Sequence, residues 1–416
     1  MHRSSCVIIG ASAAGISAAV AMRRLDYRGT VTVVDADPNP PYERPPLSKA
    51  LLDDTTGLVP ILPWSTYGDL QIDLRLGERV SAVDPGSLKV HLEGGDRLDV
   101  DRLVLATGVA ARHLAIPHAD ADNVLTLRDA ADAGRVSAQL ARGGPLVIIG
   151  AGFIGLELAA VARQRGIDVT VVEAQPHPLA NVVGSEVAGL VVDLHRGHGV
   201  RLVTGATVER FVATGSTVEQ VVLSNGQRVD AATVVVGIGV RPRTELAASA
   251  RVDVDHWGFP VNEFGQTSRA WIFAAGDVAS QAHPHLAARG RLEHWDTAQR
   301  HGAAVGSTVA GEPVPYKEVP YAWSDQYTGT LQIVGRPRGT DRVVIRAGAT
   351  PERFLAFWLR DGRLGAVAGM DASREVGLAR RVVASTMPVD EDVLADAATD
   401  LRSLLRPHRS PARLVG

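Results

Sequence analysis

Apolar runs, glycine turns and terminal acids recur along this chain in a fixed order. The run Cys6-Val7-Ile8-Ile9 leads into Gly10-Ala11-Ser12-Ala13-Ala14-Gly15. A helix-like segment follows, and a second run, Val31-Thr32-Val33-Val34-Asp35, ends in a carboxylate. The order returns 140 residues later: Ile148-Ile149 leads into Gly150-Ala151-Gly152-Phe153-Ile154-Gly155, and Val169-Thr170-Val171-Val172-Glu173 again ends in an acid. Short apolar runs bounded by glycine read as buried strands, and the segments between them as helices. Each copy predicts a βαβ unit, and each closes on a further strand and small-residue turn, Asp101–Gly108 and Ala232–Gly239. One more buried run, Ala270–Asp277, delivers an acid at its C-terminal end. Ligands of open α/β sheets bind at that edge.

The spacing of glycines and acid is that of a dinucleotide cradle. Gly10 and Gly150 make the tight turn, Ser12 and Gly152 face the pyrophosphate, and Gly15 and Gly155 let helix and strand pack closely. The helix N-terminus then presents unpaired N–H groups to the phosphates. Asp35 and Glu173 stand where an acid accepts from a ribose hydroxyl. Ser12 departs from the glycine pattern, but serine is small. Two dinucleotides in one chain suggest that electrons pass between them. Glu173 favours NADH over NADPH, because a carboxylate would repel a 2′-phosphate and Ala174-Gln175-Pro176-His177-Pro178 offers no cation to neutralise one.

Between the first unit and its closing strand, Pro38–Lys49 is a proline-rich loop. After Tyr321 the texture changes. Leu331–Val334, Arg342–Ile345 and Arg353–Leu359 read as short strands with an Asp361-Gly362 turn. Helical patterns follow over Ser373–Ala384 and Glu391–Leu405, and an arginine- and proline-rich end from Arg406 to Gly416 is expected to fray. The fold class is α/β: two Rossmann-like dinucleotide-binding domains plus a C-terminal α+β domain.

Composition removes several alternatives. The chain has 416 residues, a net charge of −3 and 45% hydrophobic residues, the profile of a multidomain globular protein with no basic nucleic-acid stripe. The single cysteine, Cys6, excludes an intramolecular disulfide or a redox dithiol. Any flavin would have to pass electrons directly to its acceptor. The uncharged stretch Cys6–Met22 is short for a membrane span and carries the cradle glycines. The first strand starts just after Met1, so no leader is expected and the location implied is cytoplasmic. The histidines do not group as metal ligands. His283 and His285 flank a proline and read as surface residues, with no third ligand at useful spacing.

Several blocks together resemble the NADH-dependent ferredoxin reductases of bacterial cytochrome P450 and ring-hydroxylating dioxygenase systems, which have the glutathione-reductase-like flavoprotein fold. They are Pro41-Tyr42-Glu43-Arg44-Pro45-Pro46-Leu47-Ser48-Lys49, Gly155-Leu156-Glu157-Leu158-Ala159, Ala274-Ala275-Gly276-Asp277-Val278-Ala279, Glu293-His294-Trp295 and Trp323-Ser324-Asp325-Gln326-Tyr327. The resemblance covers nearly the whole chain. It implies a discontinuous FAD domain (1–112 and 240–320), an NADH domain (113–239) and a C-terminal domain (321–416). Gly239-Val240-Arg241-Pro242-Arg243-Thr244 departs from the family, which usually has asparagine after the proline; a local loop effect is expected.

The resemblance also implies roles. FAD is held by Gly10, Ser12, Gly15, Asp35, Arg44, Thr107, Gly108, Arg128 and Asp277. NADH is held by Gly150, Gly152, Gly155 and Glu173. Lys49 and Glu157 form a catalytic ion pair beside the flavin, and Trp295 and Trp323 shield its ring. The implied partner is a 2Fe–2S or 3Fe–4S ferredoxin, and through it a P450 or dioxygenase, with the reductase a monomer or weak homodimer. Two other readings remain: an NADH oxidase or other NADH reductase with a small-molecule acceptor, and a redox sensor of the apoptosis-inducing-factor type. The oxidases generally use a cysteine near the flavin, which Cys6, in the first strand, does not provide.

Overall fold

The computed structural model describes residues 4–49, 57–348, 350 and 353–405. The expected fraying of Arg406–Gly416 lies outside the described residues. By its contacts the chain divides into two units. One is formed by residues up to 178 and 195–317, the other by 179–194 and the chain from 318 onward.

The first unit holds two five-stranded parallel sheets of matching design. In one, the strand order is Ile272–Ala274, Arg102–Leu105, Ser5–Ile9, Thr30–Asp35, Ile72–Leu76. In the other it is Arg201–Thr204, Val169–Glu173, Leu146–Ile149, Thr233–Val236, Val124–Leu125. Each sheet carries a three-stranded antiparallel insert at the same point of its order, Val80–Asp99 in one and Val208–Asp230 in the other. Alternation explains why the strands are apolar throughout. Cys6 and Ile8 enter the core under the helices, while Val7 and Ile9 enter the core on the opposite face.

Close helix packing covers one face of the first sheet. Helix Ala13–Arg24 lies against helix Trp295–Val309 through Gly302 and Gly306. A Cβ at either glycine would stand 2.2 Å from the carbonyl oxygen of Ala14 or Ala18. A larger residue there would separate the helices, at the cost of about 1–3 kcal/mol typical of overpacking.

The second unit centres on an antiparallel sheet in the order Tyr321–Gln326, Gly329–Gly335, Arg363–Met370, Phe354–Arg360, Arg342–Ala347. Helix Ser373–Ser385 covers it through Val376, Ala379, Val382 and Val383. Asp361 and Gly362, with φ 50° and 67°, make the expected hairpin turn. The helix expected over Glu391–Leu405 is broken: Glu391–Ala395 is helical and Leu401–Leu405 is a 3-10 turn. Asp396 ends the first piece, its carboxylate accepting from the Ala398 N–H (2.9 Å) and the Thr399 hydroxyl (2.9 Å). Such local bonds compete with helix continuation. Residues 179–194 join this unit. Gly184, at φ 72°, turns beside the buried Trp358, whose ring nitrogen would stand 3.1 Å from a Cβ at 184.

Candidate active site

The two glycine turns fold alike. Gly10 has φ 115° and its Cβ would meet the Ala106 carbonyl oxygen at 2.2 Å; Gly150 has φ 104° and the Gly237 carbonyl at 2.3 Å plays the same part. No side chain fits at either position. Gly152, by contrast, has open space around its Cβ and ordinary φ of −77°. The matching Ser12, at φ −96°, is therefore accommodated without strain. Its hydroxyl does not cap the helix; it accepts from Arg44 Nε at 3.2 Å, leaving the helix N-terminus open to an anion.

The acids also match. Asp35 accepts from the Ala11 N–H at 2.6 Å and the Asp37 N–H at 2.9 Å. Glu173 accepts from the Ala151 N–H at 2.8 Å and the Gln175 N–H at 2.8 Å. Each carboxylate is thus locked to its glycine turn at the sheet edge.

A cavity of about 590 Å³ opens at the first turn. Gly10, Ser12, Asp35, Arg44, Thr107, Gly108, Arg128 and Asp277 all line it. Arg44 Nη1 donates to the Arg128 carbonyl (2.6 Å), and Arg128 Nη2 reaches Asp277 Oδ2 (3.3 Å). Arg243 lines the same cavity, and its backbone is tied in by the Thr107 hydroxyl, which donates to its carbonyl at 2.7 Å. Loss of solvation lowers the pKa of the Arg128 guanidinium; Arg44 and Arg243 push it the same way, and Asp277 opposes them. Around Arg128, Arg44 and Arg243 add two further cations and Asp277 one carboxylate, so positive charge is in local excess at that point of a lining that otherwise carries both signs. With the glycine cradle and open helix end, that donor set suits the diphosphate of a dinucleotide.

A third cluster links the two halves of this unit. Ser48 and Lys49 end the proline-rich loop, whose Pro45–Ser48 turn is a short 3-10 helix. Glu157 lies on the helix after the second glycine turn and is 5% exposed. Lys49 Nζ stands 3.6 Å from Glu157 Oε1, and the Ser48 hydroxyl donates to Oε2. One donor on each oxygen fixes the plane of the carboxylate. Trp295 begins its helix and packs on the core below the first sheet. Trp323 belongs to the second unit, where its ring stacks on Tyr321 at 5.9 Å.

Sequence reasoning missed several contributors. Ser48 and Tyr42 stand in a quoted block without an assigned role. The Tyr42 hydroxyl donates to Asp37 (2.8 Å) and accepts from the Ala130 N–H (3.1 Å), tying the loop to its own start and to the first turn of helix Ala130–Ala141. Arg243 was expected to matter only to a loop, yet it supplies cavity charge. His283 is not a surface residue: it is 5% exposed, with its ring 5.2 Å from Tyr316. No group of His, Cys, Asp and Glu among the described residues could hold a metal ion.

Two buried imidazoles make stability depend on pH. Burial lowers the pKa of His301 to about 3 and of His283 to about 4, each further depressed by a neighbouring histidine. Between pH 6.5 and those values the unfolded chain takes up protons that the folded chain refuses. The stability present above pH 6.5 is lost as pH falls, by about 1.4 kcal/mol per pH unit for His301. Urea unfolding midpoints between pH 7 and 4.5 are expected to fall more steeply for the wild type than for His301→Asn; equal slopes would contradict this.

The comparisons with known proteins agree with this architecture. The pyridine nucleotide-disulphide oxidoreductase family matches residues 4–302, and the reductase C-terminal family matches 321–405. Rhodocoxin reductase of Rhodococcus erythropolis is 36% identical over 97% of this chain and 95% of its own. The ferredoxin–NAD(+) reductase component of the anthranilate 1,2-dioxygenase system of Burkholderia cepacia is 37% identical over 97% of this chain and all of its own. Among solved structures, putidaredoxin reductase in its covalent complex with putidaredoxin superposes with a TM-score of 0.92 at 31% identity, covering 97% of this chain and 99% of that one.

Two dinucleotide cradles on parallel sheets define an FAD- and NAD-dependent oxidoreductase. Its lone thiol, Cys6, is buried and pushed up to about 12, so the dithiol chemistry of the broader disulphide oxidoreductases is not available to it. The chain belongs to the family of NADH-dependent ferredoxin reductases.

Proposed function

We propose that FAD lies in the cavity edged by Gly10, Ser12, Asp35, Arg44, Thr107, Gly108, Arg128 and Asp277, with Gly15 behind it letting the helix approach the Gly10 turn. NADH binds at Gly150, Gly152, Gly155 and Glu173, and Lys49 and Glu157 act at the reacting end. The protein is an FAD-dependent NADH:ferredoxin oxidoreductase. It passes electrons to an iron–sulfur ferredoxin that serves a cytochrome P450 or a ring-hydroxylating dioxygenase, as the names of its relatives indicate for them. Bound FAD supplies the conversion of a two-electron donor into one-electron delivery.

The observation that carries the reading is the Ser48–Lys49–Glu157 cluster. It joins the loop of the first cradle to the helix of the second. The Lys49 ammonium, held by a buried carboxylate, stabilises negative charge that develops between the two sites. Arg44, Arg128 and Arg243 bind the diphosphate and Asp277 orients Arg128. Trp295, packed against the core of the first sheet, shields the reacting ring from water.

The FAD domain comprises 1–112 and 240–320, the NADH domain 113–239 and the C-terminal domain 321–416. In support, strand Ile272–Ala274 pairs within the same sheet as Ser5–Ile9. The location proposed is cytoplasmic, and no described helix is long and apolar enough to cross a membrane.

The purified protein is expected to be yellow with one non-covalent FAD per chain. Acid extraction and chromatography of the released flavin check this. Recovery of FMN, of a covalent flavin or of none would overturn the assignment of the first cradle.

A further inference from the structure

A buried histidine that takes no part in the reaction just described sits behind the FAD cavity. His301 is 1% exposed, on the helix that Gly302 and Gly306 press against helix Ala13–Arg24. Its Nδ1 receives the Gly276 backbone N–H at 3.2 Å, and the Gln281 side-chain amide lies 3.1 Å from the same atom. The Tyr316 ring stacks on the imidazole at 5.0 Å.

Gly276 matters because of where it stands. It directly precedes Asp277 and adopts φ +73°, and a Cβ there would be 2.8 Å from the Ala14 Cβ. The turn is wedged between the two helices, and its N–H points to His301. From that turn a continuous series of polar contacts runs around the cavity. Asp277 meets Arg128, the Arg128 carbonyl accepts from Arg44, and Arg44 Nε donates to the Ser12 hydroxyl at the helix N-terminus. His301 is the buried end of that series.

We propose that His301 is a positioning residue for FAD: as the neutral Nε2–H tautomer, it accepts the Gly276 N–H and so holds Asp277 and Arg128 in register with the Ser12 helix end. The proposal rests on the assignment of FAD to the first cavity. It adds a residue that touches neither the cofactor nor the substrate.

The geometry requires an acceptor at the Nδ1 position and not merely a polar group of similar size. Asparagine places Oδ1 where Nδ1 stands, whereas glutamine reaches toward the Nε2 position. Leucine offers no acceptor and leaves a buried N–H unpaired. The three variants therefore separate hydrogen bonding from packing.

The experiment compares FAD release from purified holoenzymes, followed by the rise in free-flavin fluorescence after dilution. His301→Leu and His301→Gln are expected to release FAD about tenfold faster than wild type, the loss of one hydrogen bond to a buried N–H. His301→Asn is expected to restore retention to within about threefold. Equal release from the Asn and Gln variants, or wild-type release from His301→Leu, would overturn the proposal.

Should the variants fail to fold, the wild-type holoenzyme with 15N-labelled histidine gives an independent reading. The His301 Nδ1 resonance is expected in the range of an unprotonated ring nitrogen, and Nε2 in that of a protonated one. The reverse assignment would overturn the proposal. If the flavin released in any of these experiments were not FAD, the assignment of the cavity would fail instead, so the two failures are distinguishable.

Discussion

Replacing Lys49 with methionine is expected to slow reduction of the enzyme by saturating NADH about ten- to hundredfold, while FAD stays bound. The basis is the pairing of Lys49 with a carboxylate that is itself buried and held by Ser48. An ammonium fixed in this way needs little reorganisation as negative charge develops, so its contribution appears in the transition state. Glu157→Gln removes the charge that orients Lys49 and is expected to slow the same step. The double variant should lose less than the sum of the two, because the groups act as one unit. Stopped-flow reduction of the two single variants and the double measures this. Wild-type rates in either single variant would reduce that residue to a structural or binding charge.

The second large effect concerns the nucleotide. Glu173→Gln is expected to narrow the preference for NADH over NADPH about tenfold, and the further change Ala174→Arg should narrow it again by a similar factor. Glutamine is the informative choice because the carboxylate also accepts two backbone N–H groups, from Ala151 and Gln175. An amide oxygen retains one of these bonds, so the turn is disturbed less than by alanine. Ala174 is exposed, so an arginine there does not displace the core. Steady-state kcat/KM for both nucleotides decides the matter. An unchanged ratio in both variants would show that another element selects the cofactor.

Much of the first unit was legible because its physics is local. Gly10, Gly15, Gly150 and Gly155 occupy positions where a Cβ meets backbone, so the turn must be written in glycine. The strands that lead into these turns, Ser5–Ile9 and Leu146–Ile149, are buried on both faces and read as near-continuous apolar runs. The C-terminal sheet was harder. Tyr321–Gln326 carries buried Ser324 and Gln326, and Arg363–Met370 carries Gly365, Ala366, Ala368 and Gly369, so neither shows the usual strand pattern. The helix expected over Glu391–Leu405 failed at Asp396 because side-chain bonds to nearby groups outcompete the helical ladder there.

The site divides in the same way. Acids ending strands could be located from spacing, but Ser48, Tyr42, Arg243 and His301 act through partners distant in sequence. Ser48 and Glu157 are 109 residues apart, and Arg128 and Asp277 are 149. The grouping of 179–194 with the C-terminal unit depends on a similar distant meeting, that of Gly184 with Trp358.

The central claim is one-electron delivery to an iron–sulfur protein without a protein thiol. The most direct measurement uses the purified holoenzyme, NADH and a panel of 2Fe–2S and 3Fe–4S ferredoxins under anaerobic conditions, with an oxygen-only control. The account predicts NADH-dependent reduction of at least one ferredoxin, at a rate well above oxygen consumption in the control and unchanged by Cys6→Ala. Rapid oxygen reduction with no ferredoxin reduced across the panel, or loss of electron transfer in an FAD-replete Cys6→Ala enzyme, would contradict it.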